Sequence, residues 1–218
     1  MQEIIKENRS ALFDGITAED RAAVLSCIGY HVKVYRKGDV IALESEDMKH
    51  IGVILSGTVD MIKEDFWGNK TMLLRLRQNE VFGETFACGD DSVSLVTFLV
   101  SEDAKILFMP FCRVMRSCSM ACQFHHQLME NMVRIIAKKN RELMRKVEVV
   151  SKRTIREKVL AFLSIQAQTQ GGGYLELPLG RVELADYLCV DRSALTRELA
   201  KMKKEGVLDY DKNCFRLL

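Results

Sequence analysis

The sequence predicts an α+β protein in three consecutive parts: an antiparallel β-sandwich or barrel, one long helix, and a small helical domain with flanking strands. Three observations predict it. Apolar residues alternate with period two from Val32 towards Pro110, and glycine-bearing turns interrupt them. From Met129 to Val150 apolar residues recur at spacings of three and four. Beyond Ser151, the stretch LADYLCVDRSALTREL puts two short amphipathic helices around a tight turn. Period two marks half-buried strands, and the three–four spacing marks a helix face. The parts divide at 1–110, 111–150 and 151–218.

The first part opens with short helices. Ala11, Leu12 and Phe13 precede a turn at Asp14-Gly15, and Thr17 is an N-cap for TAEDRAAVL, with Asp20 nearly completing a capping box. Val32 and Val34 then alternate with Lys33 and Tyr35, RKGD turns the chain, and VIAL follows. IGVIL is expected to end at a turn on Ser56-Gly57, with TVDMI as a new strand. FWGN separates TVDMIKE from TMLLRL as a hairpin, and Asn79-Glu80 makes the next turn. The region reads as about eight short strands ending near Pro110.

The long helix carries a seam of Met129, Val133, Ile136, Asn140, Leu143, Val147 and Val150. Three heptads with one narrow apolar stripe predict pairing with a second copy in parallel, and Asn140 would fix the register. The alternative is a helix packed on its own sandwich. Lys138, Lys139, Arg141, Arg145 and Lys146 keep off the seam. The helix should stop near Ser151. Thr154 and Glu157 form a capping box for IREKVLAFLSIQAQ, which ends at Gly171-Gly172-Gly173. YLELPLG is a short strand, and VLDYDKNCFRLL holds two more.

Charge is uneven along the 218 residues. Residues 1–110 carry 12 Lys/Arg against 18 Asp/Glu, residues 111–150 carry 8 against 3, and residues 151–218 carry 12 against 9. A basic back half suits an anionic partner, nucleic acid first. No apolar run is long enough for a membrane span, and MQEIIKENRSALF lacks the apolar core of a signal peptide. No membrane contact and a cytoplasmic location are therefore expected. Seven cysteines at irregular spacing argue against a secreted disulfide framework.

In the opening stretch Leu184, Ala185 and Leu188 form one apolar face, and Leu195, Leu199 and Met202 form the next. Asp191 is placed to cap the second helix. Arg192, Ser193, Thr196 and Arg197 lie on its outer side. A scaffold helix, a tight turn and a second helix with outward polar residues make a helix-turn-helix, and the flanking strands make it winged. Arginine donates two bonds to a guanine edge, and Ser or Thr bonds bases or phosphates. Double-stranded DNA is the expected partner.

YRKGDVI, the ILSGTV turn, VFGE and LADYLCVDRSALTREL, in this order around a long seam, resemble the cyclic-AMP receptor protein and fumarate-nitrate regulator family of bacterial transcription factors. The resemblance covers nearly the whole chain. It implies a cyclic-nucleotide-binding-like jelly roll, a dimerisation helix and a winged helix-turn-helix. It also implies a homodimer on a two-fold DNA site that recruits or blocks RNA polymerase. The family's recognition helix commonly reads Ser-Arg-Glu-Thr-Val-x-Arg, matched here by Arg192 and Arg197, with Ser193 where the glutamate stands. Phe66 and Trp67 at the hairpin tip would cover the sheet, the commoner outcome, or meet a partner such as polymerase.

The resemblance places an effector pocket at Phe82, Gly83, Glu84, Thr85 and Ser94, with Leu143 and Met144 where the family offers polar groups to the base. The family's cassette arginine is missing, and no Lys or Arg occurs from Phe82 until Lys105. A cyclic phosphate needs charge-assisted donors. Cyclic AMP and cyclic GMP are therefore disfavoured, and an apolar ligand or a self-filled pocket is left open. Cys118, Cys122 and His125 share a helical face at i, i+4 and i+7. They suit a metal ion, part of an iron-sulfur cluster, or a thiol switch, against plain packing as the alternative. Cys88, Cys189 and Cys214 are expected to be packing residues. Two rivals stand beside the regulator. A cupin-like metalloenzyme needs clustered histidines, and His31 and His50 read as isolated. A ligand-binding module could use its winged helix on protein alone. No catalytic residue is assigned.

Overall fold

The computed structural model describes residues 8–218, apart from 69, 90, 117–122, 172 and 178. The chain divides into two compact units, Met1–Ala137 and Lys138–Leu218.

In the first unit a 3-10 turn at Ala11–Phe13 leads into helix α1, Ala18–Ile28, capped as expected by Thr17, which accepts from the Asp20 amide. Six strands follow among the described residues: β1 His31–Tyr35, β2 Val40–Ala42, β3 His50–Glu64, β4 Lys70–Leu76, β5 Val81–Phe82 and β6 Thr97–Pro110. Two short helices, α2 Glu84–Ala87 and α3 Phe111–Val114, flank β6. All pairings are antiparallel in the order β1-β6-β3-β4, with β2 also on β6 and β5 on β3.

The strands are fewer and longer than the expected eight. Ser56-Gly57 does not turn the chain; it lies inside β3, where the register with β6 shifts on both sides of Ser56. Gly57 has φ +86, and a Cβ there would lie 2.2 Å from the Asp103 carbonyl oxygen. This is a β-bulge, which needs a left-handed residue and re-aims the strand without ending it.

Both faces of the sheet are buried, as alternation dictates. Ile51, Val53, Leu107 and Met109 pack with Leu12, Leu25, Leu128 and Met132. Ile54, Ile106 and Phe108 face the other way, with Tyr35, Phe82 and Phe98. Helix α4, Gln123–Val150, begins in this unit, and Asn131 secures it by donating to the carbonyls of Leu12 (3.0 Å) and Asp14 (2.7 Å).

In the second unit α4 ends at Val150. Helix α5, Ile155–Gln170, starts with the predicted Thr154/Glu157 capping box and closes on Gly171 at φ +85. Strand β7 is Leu175–Glu176, α6 is Arg181–Leu188 and α7 is Arg192–Lys204. Strands β8, Leu208–Asp211, and β9, Cys214–Leu217, complete a three-stranded wing in the order β7-β9-β8. Leu163, Leu184, Leu188, Leu195, Leu199, Met202 and Phe215 share its core with Val149 of α4.

Candidate nucleic-acid interface

The interface is built on α6, a sharp turn and α7. Glu183 accepts from the Gly180 amide at 2.8 Å, which satisfies a donor at the start of α6. At its other end Lys158 of α5 donates to the Leu188 carbonyl at 3.1 Å, a cation where the helix dipole is negative. Cys189 makes the turn with φ 53 and ψ 56. Asp191 then accepts from the Ala194 amide at 2.8 Å and starts α7, as its position in the sequence predicted. Leu195, Leu199 and Met202 are fully buried and fix the rotation of α7.

That rotation turns Asp191, Arg192, Ser193, Thr196 and Arg197 outward, where all five are exposed and line one surface depression. Neither Arg192 nor Arg197 holds an ion pair or hydrogen bond through its guanidinium among the described residues. The two hydroxyls are differently placed. Ser193 Oγ donates to Asp191 Oδ1 at 2.5 Å, and Thr196 Oγ1 donates to the Arg192 carbonyl at 2.9 Å. Their protons are used internally, which leaves their lone pairs as acceptors. The hydrogen bond from Ser193, that from the Ala194 amide and the nearby Arg197 charge hold the Asp191 carboxyl below its ordinary range.

Sequence reading missed three residues that set this geometry. Arg156 of α5 donates to Glu198 Oε1 at 2.8 Å and Glu205 Oε2 at 2.5 Å, clamping α7 from behind. Arg181 lies over Tyr210 and Phe215, 5.0 and 5.3 Å from their ring centroids, and donates to the Lys212 carbonyl at 3.1 Å. Lys203 of α7 pairs with Asp209 at 2.7 Å and holds the wing. Each partner lies in another element, so no local spacing signals it.

The predicted effector residues behave differently. Phe82, Gly83, Glu84 and Ser94 are buried, and Thr85 is exposed. Phe82 lies 5.0 Å from the ring of Phe98 and 6.2 Å from that of Phe108. Ser94 donates to the Val96 carbonyl at 2.6 Å. Leu143 and Met144 are exposed. On the seam Val133, Ile136, Asn140, Leu143 and Val147 are exposed, while Met129 and Val150 are half-buried. Of the metal candidates, Cys118 and Cys122 lie outside the described residues. His125 is 3% exposed, and its Nδ1 meets no hydrogen-bond partner among the described residues.

Three expectations are corrected. Cys88 and Cys189 are exposed and Cys214 is half-buried, because the first two sit at helix ends where the chain turns. Phe66 and Trp67 do not cover the sheet; at 95% and 82% exposure they project from the β3–β4 hairpin. His31 and His50 are not isolated. Their rings meet edge to face, 5.7 Å apart, because β1 and β3 both pair with the end of β6.

No helix among the described residues is long and apolar enough to cross a membrane. Residues 32–118 match the model of the cyclic nucleotide-binding domain, and residues 157–218 match that of the Crp-like helix-turn-helix domain. No curated protein matches by sequence. Several solved structures share the fold. A mutant of CooA from Carboxydothermus hydrogenoformans is 18% identical, with TM-score 0.67, and the match covers 98% of this chain and 94% of that one. The c-di-GMP responsive regulator CLP of Xanthomonas campestris is 14% identical, with TM-score 0.60 and coverage of 90% and 98%. FixK2 from Bradyrhizobium japonicum is 17% identical, with TM-score 0.54 and coverage of 86% and 92%. With a cyclic nucleotide-binding domain followed by a Crp-like helix-turn-helix carrying an exposed Arg192 and Arg197, the chain belongs to the cyclic-AMP receptor protein and fumarate-nitrate regulator family of DNA-binding transcription regulators.

Proposed function

We propose that this regulator is a homodimer that binds a two-fold DNA site in a sequence-specific way and does not respond to cyclic AMP. The unengaged guanidiniums of Arg192 and Arg197 at the exposed start of α7 carry the reading. A recognition helix reads bases with its N-terminal residues, and Arg makes the strongest such contact, to guanine. Ser193 and Thr196 add lone pairs for base amino groups or direct phosphate contacts once their internal bonds rotate away.

The dimer rests on the seam. Val133, Leu143 and Val147 are 56%, 59% and 55% exposed in the single chain, on a helix whose Leu128, Met132 and Val149 are buried. A second copy would remove that apolar stripe from water, and two recognition helices would enter successive major grooves. The functional parts remain 1–110, 111–150 and 151–218. An effector would act by shifting a pre-existing equilibrium about Val150–Thr154. The exposed Phe66 and Trp67 support a contact with a partner such as RNA polymerase.

Two observations and one expectation from the resemblance argue against cyclic AMP. The segment 82–104 holds no cationic side chain. The Phe82 ring is packed among other aromatics. The resemblance would put Leu143 and Met144 at the positions where the family offers polar groups to the base. One observation favours a second reading, a metal-, cluster- or thiol-sensing regulator using Cys118, Cys122 and His125: the buried His125 Nδ1 meets no described partner. Native mass of the anaerobically purified dimer, with and without Cys118→Ser and Cys122→Ser, tests it. The cupin-like metalloenzyme yields to the family assignment.

The test of DNA reading is selection of duplexes from a randomised pool, followed by fluorescence anisotropy. Arg197→Ala should bind the selected duplex roughly 10- to 100-fold more weakly and lose preference at one position of each half-site. Binding should weaken steeply with salt. Unchanged affinity and selectivity in Arg197→Ala would overturn the reading, as would failure of the wild type to bind DNA.

A further inference from the structure

We propose that Asp191 is a specificity-determining residue, an oxygen acceptor that reads the exocyclic amino group of a cytosine or adenine in the major groove. The inference rests on the reading of α7 as the recognition helix.

A surface depression lies at the start of α7. Its lining offers donors from Arg192 and Arg197, and Asp191 supplies its one carboxylate. Donors read guanine N7 and O6 or phosphates, whereas a cytosine N4 or adenine N6 amino group demands an acceptor. An ionised carboxylate is acceptor-only, with about four lone-pair sites. The helix uses some of them. Ala194 N–H and Ser193 Oγ both donate to Oδ1. Two donors, both on Oδ1, leave lone pairs of the carboxylate for a ligand.

Ser193 completes the arrangement. Its hydroxyl proton points at Asp191 across 2.5 Å, so its own lone pairs turn away. Carboxylate and hydroxyl thus present two neighbouring acceptor oxygens, a fit for the single N–H that a base-paired amino group leaves in the groove. The cap itself keeps the carboxylate in place, because Asp191 is held at the helix start by the Ala194 amide. The same negative charge repels phosphate, so its favourable partner on DNA is a base edge.

The test uses the full chain and a duplex pool with a randomised core of about two helical turns, the span of two half-sites. Asp191→Asn and Asp191→Ser both retain an N-capping side chain. Selection on the wild type should show cytosine or adenine at one position of each half-site, and both variants should relax that position roughly tenfold while other positions keep their preference. On the wild-type chain, replacing that base by 2-pyrimidinone or purine, which lack the amino group, should cost the same factor. The proposal falls if both variants keep every preference and only gain affinity uniformly, which would make Asp191 a cap and an electrostatic brake. It also falls if the amino-free base binds as well as its parent. A wild type that selects no sequence would sink the reading of α7 itself, and Asp191 with it.

Discussion

Arg156 on α5 and Glu198 on α7 form a side-chain hydrogen bond of 2.8 Å, and the same guanidinium also holds Glu205. The pair does more than join two helices. Glu198 follows Arg197 directly, and its charge is neutralised from behind. Arg156→Gln should therefore weaken DNA binding roughly two- to fivefold and lower the thermal midpoint slightly, as expected for a partly exposed ion pair. Arg156→Lys should rescue only part, since a point ammonium cannot serve two carboxylates as a planar fork does. Anisotropy at low and high salt checks both variants; a fully active Arg156→Gln would remove the clamp from the mechanism.

The seam makes a separate prediction. Leu143 is 59% exposed in the single chain, so Leu143→Lys should leave folding intact by circular dichroism. In the dimer it would place two charges across an apolar contact. Analytical ultracentrifugation should show a monomer, and affinity for the two-fold site should fall by about two orders of magnitude through lost bivalency. A stable dimer in this variant would move the interface elsewhere.

His50 carries a pH signature. Burial first, and the neighbouring His31 second, hold its imidazole below the ordinary histidine value. The folded state thus binds its proton less readily than the unfolded chain. Its stability contribution is intact above about pH 6.5 and is lost as pH falls below that value toward the folded pKa. In His31→Gln, NMR titration should find His50 ionising closer to a free histidine, and the acid-side loss should flatten. An unmoved His50 curve would show that the two rings do not couple.

Gly57→Ala tests the bulge. The new Cβ would be strained at φ +86 and would collide with the Asp103 carbonyl. A loss of about 3 kcal/mol is expected in denaturant unfolding, the range of a severe backbone clash. A loss below about 1 kcal/mol would mean that β3 can run straight.

Much of this protein is written locally. Thr154 and Glu157 announce the start of α5, Asp191 that of α7, and Leu195, Leu199 and Met202 its buried side. With that side buried, Arg192 and Arg197 must face outward. The long helix α4 is equally legible. Caps, helical faces and strand alternation are contests between neighbours a few residues apart, and residue identity settles them. Other features join residues far apart in the chain, and those depend on register and packing. The sequence SGT reads as a turn until β6 lies alongside it, when Gly57 becomes a bulge. His31 and His50 look solitary until β1 and β3 meet the end of β6. Arg156 finds Glu198 only when α5 crosses α7. In one dimension the two hydroxyls of α7 read simply as groups for bases or phosphates. The fold spends their protons on Asp191 and the Arg192 carbonyl, because a helix start offers acceptors closer than any DNA. Identity sets which groups are available, and their three-dimensional neighbours set which remain free to bind.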